Sequence, residues 1–127
     1  VYLLDTHTLL WWTEDDRRLP ENVRRILSDR GNSIYFSAVS VWEVSIKAKL
    51  GKLTIPVEPL QFISKVMEAY EFVALPILFS HAAEVFNLPL IHADPFDRLL
   101  VAQARIEKLV LLSNDAEIEK YGVKLVW

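Results

Sequence analysis

The chain has no cysteine, so disulfides and thiolate metal sites are excluded from the outset. It has no run approaching the ~20 apolar residues that a membrane-spanning helix needs. Its opening residues, VYLLD, lack the charged and apolar regions of a secretory signal. These absences lead us to expect a cytoplasmic protein that makes no use of a membrane. Positive charge is not in excess either: 14 Lys and Arg stand against 17 Asp and Glu, for a net charge of −3. A protein that grips nucleic acid through a broad basic surface would be positive, so any such contact here must be local. Arg17, Arg18, Arg24, Arg25, Arg30, Lys47, Lys49 and Lys52 gather early, but seven acidic residues share residues 1–55, and the region reads as a solvated, ion-paired face. The histidines His7, His81 and His92 form no zinc-type pair; His7 and His92 are candidates to border a site, and a surface or structural role is the favoured reading for each. There is no internal repeat, low-complexity tract or linker, and 127 residues suit one domain, residues 1–127.

What is present alternates. Val1–Leu4, Ser33–Ser37, Phe72–Leu75, Leu109–Leu112 and Lys124–Trp127 read as short strands, several of them continuously apolar. Between them the pattern predicts helices opening at Thr8, Pro20, Ala38, Leu60, Ser80, Phe96 and Asp115. Gly31 and Gly51 are expected to close the second and third of these, and Ser80 to cap the fifth. Continuous apolar strands separated by helices argue for an α/β domain with a mostly parallel sheet and helices on both faces.

Such sheets bind ligands beyond the carboxyl ends of their strands. Asp5 directly follows the first strand, Asp115 follows Leu112 by three residues, and Glu43 lies in the helix after the second strand. Ser40 and Glu43 have capping-box spacing, but Ser37 is an equally good cap and would place Glu43 in the second turn. There its neighbours at i−4, i+3 and i+7 are Val39, Ile46 and Leu50, which would turn the carboxylate toward the protein. Asp97 also shares a stripe with apolar residues: Leu100, Val101 and Ala104. Asp94 reads mainly as a helix cap before Pro95, and Arg98 as its ion-pair partner one turn on. Two unit charges ~5 Å apart repel by roughly 3 kcal/mol at an effective dielectric near 20. Four converging carboxylates therefore call for protons, basic partners or a cation, and oxygen ligands of this kind suit Mg²⁺ or Mn²⁺.

The ordered segments LLDTHTLLWW, SAVSVWEVSIKAKLGKL, HADPFDRLLVAQA and LLSNDAEI resemble the PIN domain, and more narrowly the VapC-like toxin ribonucleases of type II toxin–antitoxin pairs. The resemblance runs along essentially the whole chain, with HADPFDRLLVAQA its most distinctive part. Ser113 stands where the family more often has Thr, and the hydroxyl is kept. The resemblance implies catalytic and metal-binding roles for Asp5, Glu43, Asp97 and Asp115, with Mg²⁺ or Mn²⁺ as cofactor. It also implies an RNA substrate, a cognate antitoxin and a homodimer. Thr6, Ser37, Asp94 and Ser113 are candidates for positioning a carboxylate or water. Trp11, Trp12, Trp42 and the segment around Phe62 are candidates for the core or for an interface. Two other classes compete: an acidic-site phosphatase or phosphotransferase, and a catalytically silent binding module. The haloacid-dehalogenase type needs a second Asp two residues after the first, where this chain has His7. A response-regulator receiver needs a well-placed late Lys, and Lys124 does not supply one. A silent module would have no reason to keep unpaired acids near its core.

Overall fold

The computed structural model describes all residues, Val1–Trp127. In chain order, strand β1 (Tyr2–Leu4) leads to helices α1 (Thr6–Glu14) and α2 (Glu21–Ser28). Strand β2 (Ile34–Ser37) follows, then α3 (Ala38–Lys49) and α4 (Pro59–Tyr70). After β3 (Val73–Leu75) come α5 (Phe79–Glu84) and a 3₁₀ turn at Val85–Asn87. The chain ends with α6 (Pro95–Glu107), β4 (Val110–Leu112), a 3₁₀ segment (Ala116–Tyr121) and β5 (Leu125–Val126).

The five strands form one sheet in the order β3-β2-β1-β4-β5, with every neighbouring pair parallel. Alternation in the central strands divides the core in two. Leu3, Tyr35 and Leu111 are in register and point to one face, where Leu100, Val101 and Ala104 of α6 cover them. Leu4, Phe36 and Leu112 point to the other, against Leu9, Val23, Leu27, Ile63 and Val66 of α1, α2 and α4. Burial on both sides explains why these strands carry no polar alternation.

Helix starts follow local chemistry. The Asp5 carboxylate accepts the Thr8 amide N–H at 2.8 Å, and the Ser37 hydroxyl accepts that of Val39 at 3.0 Å. Asp94 caps α6, with Pro95 at its first position, where the missing N–H costs nothing. Gly51, at φ +73°, follows the end of α3 in the left-handed region that favours glycine.

Three local expectations are corrected. Helix α2 ends at Ser28, and Gly31 lies beyond it without a positive φ. Helix α5 begins at Phe79 and is not capped by Ser80; the buried His81 ring accepts the Leu78 N–H through Nδ1 at 3.0 Å. Arg98 does not pair with Asp94. Its guanidinium donates to the carbonyls of Pro89 (2.8 Å) and Val85 (3.2 Å), which also accept the backbone N–H groups of Ile91 and Leu88, because the segment before α6 folds back within its reach. Of the aromatic candidates for core or interface, Trp11 and Trp12 both pack inward, Trp11 against Trp127 and His7, and Trp12 against Tyr70. No helix is long and apolar enough to cross a membrane.

Candidate metal centre

The strand order reverses at β1: β2 and β3 lie to one side, β4 and β5 to the other. Chain segments leaving β1 and β4 therefore diverge and open a crevice at the carboxyl end of the sheet. A cleft of about 200 Å³ lies there, and Asp5, Glu43, Asp94, Asp97 and Asp115 all line it, with Thr6 and Ser113. Asp5, Glu43, Asp97 and Asp115 each arrive from a different part of the fold. Asp5 ends β1, and its amide is held by the Leu112 carbonyl at 3.2 Å. Ser113 and Asp115 follow β4. Glu43 projects from α3, and Asp97 is the third residue of α6.

Burial pushes the Asp5 carboxyl above its ordinary pKa of 3.8, while hydrogen bonds from Ser113 and Thr8 pull the other way. The Asp97 carboxyl is raised to about 6, first by burial, then by the negative charge of Asp94, Glu43 and Asp115, with His92 opposing. Glu43 is buried, and its oxygens are both engaged: Oε1 accepts the Thr6 hydroxyl at 2.5 Å and Oε2 meets the Lys47 ammonium at 2.5 Å. The burial of Glu43 was expected, but two of the neighbours invoked for it were not its cause. Ile46 and Leu50 are exposed, and the inward face of α3 is Val39, Ser40, Glu43 and Val44. Ser37, also expected near the carboxylates, does not line the cleft. Its hydroxyl donates to the Gln103 side-chain oxygen at 2.5 Å, beneath the site.

Lys47, which lines the cleft, was not among the candidates read from the sequence. His92, read as bordering the site or as structural, places its Nε2 2.6 Å from Asp115 Oδ2. Its Nδ1 lies 2.7 Å from the Tyr121 hydroxyl, which also accepts the His92 backbone N–H at 2.9 Å. Tyr121 O–H donating to Nδ1, with Nε2–H donating to Asp115, is a pattern of the neutral ring that satisfies all three contacts. One ligand atom from each of His92, Asp97 and Asp115 lies within 4.8 Å of the others. His92 and Tyr121 are 29 residues apart, so no spacing rule could have paired them.

The donor set lining the cleft fits a hard divalent cation: several carboxylates and hydroxyls, with no sulfur. The raised Asp97 pKa supports that fit, since converging negative charge is what a cation would relieve.

A parallel sheet with acids gathered at its switch point defines a class of α/β domain with an oxygen-rich cleft. Residues 2–124 match the PIN domain, and the chain belongs to that family. A search of curated protein sequences finds no match. Solved structures share the fold. One is a chain of VapBC2 from Rickettsia felis bound to a DNA fragment from its promoter, with TM-score 0.74, 14% identity, and 99% of this chain and 98% of that one covered. Another is DNA-bound VapBC from Salmonella typhimurium, with TM-score 0.72, 17% identity and coverage of 98% and 96%. A third is a toxin–antitoxin complex from Klebsiella pneumoniae, with TM-score 0.66, 19% identity and coverage of 100% and 97%.

Proposed function

We propose that the protein is a Mg²⁺- or Mn²⁺-dependent endoribonuclease and the toxin of a type II toxin–antitoxin pair. The observation that carries this reading is the convergence of Asp5, Glu43, Asp97 and Asp115, with Asp94, on one cleft of a PIN domain. Asp97, Asp115 and Asp5 would hold the cation, and Glu43 would complete its surroundings directly or through water. A bound divalent ion would neutralise phosphate charge and acidify a water for in-line attack.

The chain's own residues do the positioning. Thr6 orients Glu43, Thr8 holds Asp5, and the Ser113 hydroxyl accepts the Asp115 N–H at 3.2 Å. Asp94 caps α6 and so fixes where Asp97 enters the cleft. His92 steadies Asp115 through its Nε2–H. Replacing His92 by Ala should weaken Mn²⁺ affinity by roughly 10-fold or more, the scale on which partners of metal ligands act. Calorimetric titration measures this, and an unchanged affinity would remove His92 from the site.

Cleavage of a structured RNA mixture by purified protein, with and without Mg²⁺ or Mn²⁺, tests the reading. The Asp97→Ala variant is its control. Metal-dependent cuts that leave a 5′-phosphate and a 3′-hydroxyl, and that vanish in the variant, are expected. Cleavage that persists in EDTA or in Asp97→Ala would refute the proposed chemistry.

An antitoxin that covers the toxin and a second copy of this chain are the proposed protein partners, in the cytoplasm. Phe79, Phe86 and Leu90 stand more than nine-tenths exposed, and such side chains are suited to an interface. A monomer by light scattering at high concentration would argue against the homodimer.

A further inference from the structure

The cleft that gathers the acids also contains a cation of its own. Lys47 is the single Lys or Arg among its lining residues. Arg98, beside Asp97 in sequence, is committed to the Pro89 and Val85 carbonyls. Lys47 follows Glu43 by one helical turn, the favourable order for a Glu–Lys pair, and its ammonium meets Glu43 Oε2 at 2.5 Å with no other protein partner. The pair is asymmetric. The Glu43 side chain is 9% exposed and that of Lys47 is 35% exposed. The ammonium has a route to bulk water on a flexible stem, while the carboxylate opens only onto the cleft.

We propose that Lys47 is a resident counter-cation that occupies Glu43 in the metal-free protein and competes with the divalent ion for it. Lys47 thereby lowers the metal affinity of the cleft and keeps the cluster of acids from destabilising the empty site. The proposal rests on the metal-binding reading above. A carboxylate buried this deeply needs a partner at all times. Thr6 supplies a hydrogen bond but no charge, so in the absence of a divalent ion the charge must come from Lys47. When the ion arrives, the exchange costs little because Lys47 is hydrated as it leaves.

The test is Mn²⁺ titration by calorimetry, with melting in EDTA alongside, on wild type, Lys47→Met, Lys47→Arg, Glu43→Gln and the double variant Glu43→Gln/Lys47→Met. Freeing Glu43 from its competing cation should tighten Mn²⁺ binding by about 10-fold in Lys47→Met and lower its melting temperature without metal. A defect in folding alone would not raise affinity. In the Glu43→Gln background most of that gain should vanish, because the coupling runs through this pair. Lys47→Arg should bind Mn²⁺ more weakly than wild type, since a forked guanidinium holds a carboxylate through two hydrogen bonds. This variant keeps the test decisive if Lys47→Met does not fold. Unchanged or weaker affinity in folded Lys47→Met, an equal gain without Glu43, or tighter binding by Lys47→Arg would each overturn the proposal. Absence of Mn²⁺ binding by wild type would instead overturn the metal reading beneath it.

Discussion

Replacing Asp97 by Asn is expected to make the metal-free protein more stable at neutral pH while removing its RNA cleavage. The two effects have one cause. Asp97 is held among Asp94, Glu43 and Asp115, and its carboxyl is raised from 3.8 to about 6. The folded state thus binds this proton more tightly than the unfolded chain does. Between pH 4 and 6 the unfolded chain releases it first, so metal-free stability falls as pH rises through that window. Above it the full cost remains, about 1–2 kcal/mol after allowance for solvent screening of a half-buried group. Asn keeps the shape without the charge. Its melting temperature in EDTA should exceed that of wild type at pH 7 and converge with it near pH 4. Cleavage should fall by at least about 10²-fold, since even a lost supporting contact to a metal ligand can reach that scale. A variant less stable than wild type in EDTA at pH 7 would show that Asp97 is a structural residue satisfied by its neighbours. This exchange of stability for a charged site is a common feature of functional clefts.

Leu112→Ala is expected to cost about 2–5 kcal/mol, the range for truncating a buried leucine. Leu112 is fully buried in β4 and packs beside Leu4 and Phe36 on the face covered by α1, α2 and α4. Its carbonyl also accepts the Asp5 amide and lies 2.9 Å from the Thr8 hydroxyl. Slack at this point would therefore reach the acid that ends β1. Chemical denaturation gives the stability loss directly. A loss below about 1 kcal/mol would mean that this half of the core adapts to cavities, contrary to the close packing described.

Elements whose character is local were legible in the sequence. The apolar runs ending at Leu4 and Leu112 read as buried strands, and Asp94–Pro95 marked the start of a helix by cap chemistry. Asp97 was also legible, because Leu100, Val101 and Ala104 are all buried on its stripe. Glu43 was found through a stripe that is only half real: Val39 is buried, but Ile46 and Leu50 face outward near the end of α3. Periodicity identifies a face and cannot say how far along a helix the protein continues to cover it. The parts that depend on long-range placement were not legible. The 3-2-1-4-5 order is set by which helices cover which face, and no strand encodes its neighbour. Ser37 turned to Gln103, 66 residues away. Arg98 found carbonyls in an irregular loop where helix geometry suggested Asp94. His92 joined Asp115 through Tyr121, in a contact made only once α6 and the last 3₁₀ segment are in place.

The most direct test of the central claim is anomalous diffraction from crystals of the protein soaked in Mn²⁺. The account predicts a peak in the cleft at coordination distance from Asp97 and Asp115, near Asp5, absent from Asp97→Asn crystals treated in the same way. A Mn²⁺ peak only elsewhere on the surface, or an empty cleft at concentrations that support RNA cleavage, would contradict it.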